Sequence, residues 1–98
     1  MHEKEDILRI LKESKKNYKE YGIKNIGLFG SSLRGDSKEG SDIDVLLDLD
    51  NNTSLTLFSL LKMEQELSIA LDEKVELVIK SSLKPYIGKQ ILSEVVYA

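Results

Sequence analysis

The sequence has 98 residues and no cysteine. Disulfides and thiolate zinc sites are thereby excluded, and a reducing compartment is the simplest setting. Its one histidine, His2, sits where a chain terminus frays and is read as non-catalytic. There is one proline, and no Pro/Ser-rich linker, repeat or low-complexity tract. No window approaches the roughly 20 apolar residues of a membrane span. The opening MHEKEDILRI alternates acids and bases, so no signal peptide is expected and the chain is read as soluble and cytoplasmic. Basic residues are outnumbered, 14 against 17 acids, for a net charge of −3. General duplex binding needs a basic footprint, so no general nucleic-acid binding is expected. A small anionic substrate held through metal ions stays admissible.

Against these absences stand an apolar fraction of 41% and a charged fraction of 32%. That is enough for one modest core, and the chain is expected to form a single domain over residues 1–98. Helical spacing of Ile7, Leu8, Leu11, Tyr18 and Tyr21 predicts a helix over residues 3–21, stopped by Gly22. Residues 26–29 read as a short buried strand ending at Gly30, and a brief helix is expected to start at Ser31. Residues 36–41 form a polar loop, 42–49 a strand and 50–54 a turn, with Thr53 or Ser54 as cap. Residues 55–71 carry Leu57, Phe58, Leu60, Leu61, Met63, Leu67 and Leu71 and predict an amphipathic helix. Residues 75–79 are a third strand. A last helix starts at Ser82 or Lys84, with Pro85 in its first turn, and runs to about Val96. The expected fold is α+β (α/β), a small mixed sheet of about three strands with helices on one face.

The two-residue period of a strand then sorts the side chains. In the second strand Ile43, Val45 and Leu47 point one way, and Asp42, Asp44, Leu46 and Asp48 the other. In the third, Val75, Leu77 and Ile79 oppose Glu76 and Val78. If both apolar sets face one helix layer, Asp42, Asp44 and Glu76 share the open face. Aspartate is a poor strand former, and like charges on one strand face repel. Carboxylates at i and i+2 lie roughly 7 Å apart, from about 3.3 Å of rise per residue. That spacing suits one or two hard cations completed by water and phosphate oxygens, which would offset the repulsion. Two such ions about 3.5–4 Å apart stabilise the attacking and leaving oxygens of phosphoryl or nucleotidyl transfer. Gly30-Ser31, where a strand turns into a helix, suits close approach of a phosphate.

Gly30-Ser31, ten residues, then Asp42-Ile43-Asp44 resembles the signature of the DNA polymerase beta-type nucleotidyltransferase superfamily. The fuller pattern runs Gly30-Ser31-Ser32-Leu33-Arg34-Gly35 through Ser41-Asp42-Ile43-Asp44-Val45. It resembles the smallest members, the minimal nucleotidyltransferase (MNT) antitoxins that stand beside HEPN-domain toxins. Lys74-Val75-Glu76-Leu77-Val78 and residues 84–98 extend the likeness over nearly the whole chain. The resemblance implies a polymerase beta-like fold, ATP as substrate and Mg²⁺, two ions being expected. It implies Asp42, Asp44 and Glu76 as metal-holding catalytic carboxylates, and Gly30 and Ser31 on the β- and γ-phosphates. The implied reaction moves AMP to a hydroxyl, in HEPN-paired members a tyrosine of the toxin, and releases pyrophosphate. The third carboxylate is usually aspartate; Glu76 keeps the charge but reaches one methylene further.

The remaining residues divide between ordinary and chemical readings. Glu76 is either a ligand or simply an exposed strand residue. Arg34 is expected at the phosphates, with a loop-holding pair to an acid such as Asp36 as its structural role. Gly35 is expected to supply a positive φ, and Lys38 to be a solvated loop charge. Asp48 reads as a turn or cap residue. Residues 30–35 imitate the start of a phosphate-binding loop, but Asp36 stands where lysine is required. Residues 48–59 imitate a calcium loop but place Thr53 and Ser59 where glycine and glutamate belong. Tyr18, Tyr21, Tyr86 and Tyr97 fall in expected helices, and any exposed part of residues 91–97 is a candidate partner surface. An alternative function is a catalytically silent module that neutralises a toxin by contact alone. Small-molecule or RNA acceptors are disfavoured by the chain length and the negative charge.

Overall fold

The computed structural model describes residues 3–30 and 42–98. Helix α1 spans Lys4–Asn17, followed by a 3₁₀ turn at Lys19–Tyr21 and strand β1 at Ile23–Phe29. Strand β2 spans Ile43–Leu49, helix α2 Leu57–Leu71 and strand β3 Val75–Ile79. A 3₁₀ turn at Lys80–Ser82 leads to helix α3, Pro85–Glu94, and strand β4, Val96–Tyr97. The sheet order is β3-β2-β1-β4. β2 and β3 are parallel, joined through α2, whereas β1 runs antiparallel to both β2 and β4.

The two-residue period sets which face is covered. Ile43, Val45 and Leu47 of β2 pair with Val75, Leu77 and Ile79 of β3. Leu28 and Ile26 of β1 pair with Val45 and Leu47. This apolar face meets Ile7 and Leu11 of α1 and Met63, Leu67 and Leu71 of α2, all buried in one core. The spacing of these helical residues by four places each set on a single stripe. The exposed side of β3 is closed as well. The backbone N–H of Val75 donates to Ser68 Oγ (2.9 Å) and that of Leu77 to Glu64 Oε2 (3.2 Å), both on α2. An edge strand with its donors engaged is a poor template for adding another strand.

Several boundaries differ from the sequence expectation: β1 starts at Ile23 rather than at residue 26, and others shift for tertiary reasons. The cap of α2 is Thr56, whose hydroxyl accepts from the Ser59 N–H, rather than Thr53 or Ser54. Thr53 Oγ1 instead donates to the Tyr21 carbonyl (2.6 Å), and Ser54 Oγ to that of Glu20. The last helix ends at Glu94, and Val96-Tyr97 adds a fourth strand beside β1. Gly27 permits this return. A Cβ there would lie 2.6 Å from Val95 Cγ2 and 3.1 Å from Tyr97 Cδ1, so only glycine admits both side chains. The Ala98 N–H then donates to the Ile26 carbonyl at 2.8 Å. Tyr97 is therefore a strand residue, Tyr18 caps α1, and Tyr21 closes the 3₁₀ turn. Ring stacking of Tyr18 on Tyr21, with centroids 6.1 Å apart, fixes that corner.

Candidate active site

The other face of the sheet carries the acids, and strand register arranges them in rows. Asp44 is opposite Phe29 on β1 and opposite Glu76 on β3. The next row is Val78, Leu46, Gly27 and Tyr97. Paired strands lie about 4.8 Å apart, so Asp44 and Glu76 are immediate neighbours on one surface. Asp42 precedes β2 by one residue and has the same parity as Asp44. The alignment expected from the sequence thus holds for these three carboxylates at the level of the backbone.

Their side chains are not drawn into a preformed cluster. Among the described residues, no group of three acids is gathered closely enough to hold a metal ion. Asp42 is turned toward Lys74, its Oδ2 lying 3.9 Å from Lys74 Nζ. Glu76 is exposed on the edge strand. The donor chemistry still fits a hard divalent cation, which takes oxygen ligands from carboxylates and water. Lys74 was not singled out from the sequence. It sits one residue before β3, as Asp42 sits one before β2, and Ile43 N–H donates to its carbonyl at 2.8 Å. Its ammonium is a stand-in positive charge beside the first carboxylate.

Gly30 ends β1 with φ +81°, in the left-handed region that side chains resist. A Cβ at Gly30 would collide with Asp44 Oδ2. The first glycine of the motif is thus required locally by the second aspartate, which fills the space a side chain would take. The spacing of the motif gave no sign of that contact. Ser31, Arg34, Gly35 and Lys38, together with the expected short helix at Ser31 and the loop at 36–41, lie outside the described residues.

Asp48, expected as a turn or cap residue, is part of β2. It accepts from Asn25 Nδ2 (3.3 Å) and lies 3.7 Å from Lys80 Nζ, tying three segments together. It also shares a cavity with Pro85, Gly88 and Leu92 of α3. Helix α3 thus borders the Asp48 end of the acid face; Leu46, on the same face, is fully buried. At the other end Asp42 and Asp44 are partly exposed and Glu76 is exposed.

Comparison with known proteins gives a concordant picture. The nucleotidyltransferase domain family matches residues 7–98. The protein adenylyltransferase MntA of Thermococcus cleftensis is 46% identical over 94 residues, covering 95% of this chain and 93% of that protein. A crystal structure of a toxin–antitoxin with AMP-PNP superimposes with a TM-score of 0.71 at 25% identity, over 88% of this chain and 69% of the other. A complex of a tri-AMPylated Shewanella oneidensis HEPN toxin with an MNT antitoxin shares the fold, with a TM-score of 0.65 at 24% identity. That match covers 93% of this chain and 66% of the other. No helix among the described residues is long and apolar enough to cross a membrane.

Proposed function

The chain belongs to the nucleotidyltransferase domain family, and on that premise we propose that it is an antitoxin that transfers AMP from ATP to a hydroxyl of a partner protein. The observation that carries the reading is the in-register placement of Asp44 beside Glu76, one step from Asp42, on the sheet face that α1 and α2 leave uncovered. The likeness to a protein adenylyltransferase supports a protein acceptor. The likeness to a toxin–antitoxin with AMP-PNP supports a nucleotide donor and a toxin partner. A tyrosine of a HEPN-domain toxin is the acceptor proposed, following the resemblance of the Gly30-to-Val45 motif.

Asp42, Asp44 and Glu76 would hold Mg²⁺, two ions in the full site. When bound, such ions supply positive charge to the attacking and leaving oxygens. The chain's own residues do the rest. Asp44 packs against Gly30, so the first residue of the motif lies beside the carboxylates. Gly30, Ser31 and Arg34 are the proposed phosphate contacts. In the transfer, the acceptor oxygen bonds to the α-phosphorus, the α–β bridging bond breaks, and pyrophosphate leaves. The Glu76 carboxylate, exposed on β3, is the group proposed to take the hydroxyl proton.

A second reading draws on the position of Glu76, whose side chain is exposed. On that reading the chain neutralises a toxin by complex formation, without chemistry. One experiment separates them. The purified chain is incubated with Mg²⁺, a HEPN-domain partner and ATP labelled at either the α- or the γ-phosphate. Transfer of α-label alone, lost in Asp42→Asn/Asp44→Asn, supports AMP transfer. A stable complex with no label from wild type or variant supports the silent module.

A further inference from the structure

We infer that the cavity under α3 is the docking site for an acidic segment of the acceptor protein, a reading that rests on the proposed transfer and extends it to how the acceptor is recognised. The cavity, about 620 Å³, is lined by the apolar Leu83, Pro85 and Leu92 and ringed by Lys80, Lys84 and Lys89. Its place in the fold is the first argument. Asp48, in its wall, has the parity of Asp44, so the cavity opens on the face that bears the carboxylates. It lies at the end of β3, the strand of Glu76, which is the acceptor side of the proposed reaction. Asp44 and Asp48 are four positions apart on β2, about 13 Å at 3.3 Å per residue. Roughly four residues of extended chain would carry an acceptor side chain from the cavity to the acids.

Charge identifies the occupant. The chain carries a net charge of −3, yet this cavity is edged by three lysines. Lys80 is paired with Asp48. Among the described residues, Lys84 and Lys89 have no carboxylate partner. Two unpaired ammonium groups around an apolar floor match an acidic segment with an apolar or aromatic anchor. Helix α3 is also unusually bare. Gly88 is its one fully buried residue, and Tyr86 is 86% exposed, with Ile87 half exposed beside it. The apolar spacing of α3 has no use within the described chain equal to its size, whereas a docked segment would cover it.

The test uses the full chain and two fluorescein-labelled random copolymers, glutamate–tyrosine and lysine–tyrosine, of matched length and tyrosine content. Binding is followed by anisotropy, and AMP transfer from α-labelled ATP is followed in parallel. The glutamate–tyrosine polymer should bind, more weakly as salt rises. Lys84→Glu/Lys89→Glu and Leu92→Arg should each weaken that binding by about tenfold or more. Lys15→Glu/Lys16→Glu, in the other lysine-lined hollow at Lys15, Lys16, Lys19 and Lys24, should leave it unchanged. Absent binding, equal binding of both polymers, or equal losses in the two charge-reversal variants would overturn the inference. Tighter binding of a labelled single-stranded RNA, lost in Lys84→Glu/Lys89→Glu, would also overturn it by assigning the cavity to nucleic acid. Polymer binding with these losses but no AMP transfer would uphold the docking site and count against the transferase reading alone.

Discussion

The two faces of β2 are built from alternate residues of one heptapeptide and have opposite fates. Ile43, Val45 and Leu47 are each at most 1% exposed and lie in the common core of α1, α2 and the sheet. Asp44 and, just ahead of the strand, Asp42 stay partly accessible on the other side, with Glu76 beyond them. The core face stabilises the fold through apolar burial, worth roughly 1.5–3 kcal/mol for each fully buried aliphatic side chain. The acid face contributes no comparable apolar burial: Asp42 pairs with Lys74, neighbouring carboxylates repel, and the use of the face is in binding a cation. Stability and chemistry are thus separated by one residue of register, so a substitution on one face should leave the other's property intact.

The largest effect expected is on the core face. Leu47→Ala removes a fully buried side chain from the middle of the sheet and should cost about 2–5 kcal/mol in urea unfolding. Nucleotide affinity, measured where the variant remains folded, should be unchanged. Asp44→Asn is the mirror experiment. It should lower AMP transfer by more than about 10²-fold, since loss of even an indirect metal-site partner costs 10–100-fold. The urea midpoint should fall far less than in Leu47→Ala, because no apolar burial is removed. A drop in stability comparable to that of Leu47→Ala would break the separation of faces.

Gly30→Ala links the two. The new Cβ is forced into the left-handed region, at a cost of about 1–2 kcal/mol, and collides with the Asp44 carboxylate. Both stability and transfer should fall, and Asp44→Asn should not add fully to the loss of activity. The smallest effect lies far from the acid face. Burial and then the hydrogen bond to Glu66 push the Tyr18 phenol well above its ordinary range. Tyr18→Phe should cost about 1 kcal/mol at neutral pH. Because the folded state raises this pKa, its contribution is complete below the unfolded value near 10 and is lost as pH rises above it. The stability gap between wild type and Tyr18→Phe should therefore narrow in alkaline urea titrations.

Much of this contrast was legible in the sequence because strand parity is rigid. Once the apolar sets of residues 43–49 and 75–79 face one helix layer, a shared opposite face for Asp42, Asp44 and Glu76 follows, and β3 lies at the expected residues. What the sequence concealed depends on contacts between distant segments. β4 is two residues long, too short for any period, and its position is set by the absence of a side chain at Gly27. Thr53 and Ser54 have the chemistry of caps but bond backward to the 3₁₀ turn. Apolar spacing predicted α2 and α3 as helices, yet not which apolar residues stay outside. Phe58 is 88% exposed and Leu57 72%, while Met63 is fully buried. The ion pair of Lys74 with Asp42 and the contact of Asp44 with Gly30 likewise required the fold.

The claim that the acid face is a metal–nucleotide site is tested most directly by calorimetric binding of a non-hydrolysable ATP analogue, with and without Mg²⁺. Wild type should bind only when Mg²⁺ is present, and Asp42→Asn/Asp44→Asn should lose that binding while still unfolding cooperatively in urea. Equal binding without Mg²⁺, or undiminished binding by the double variant, would contradict the account.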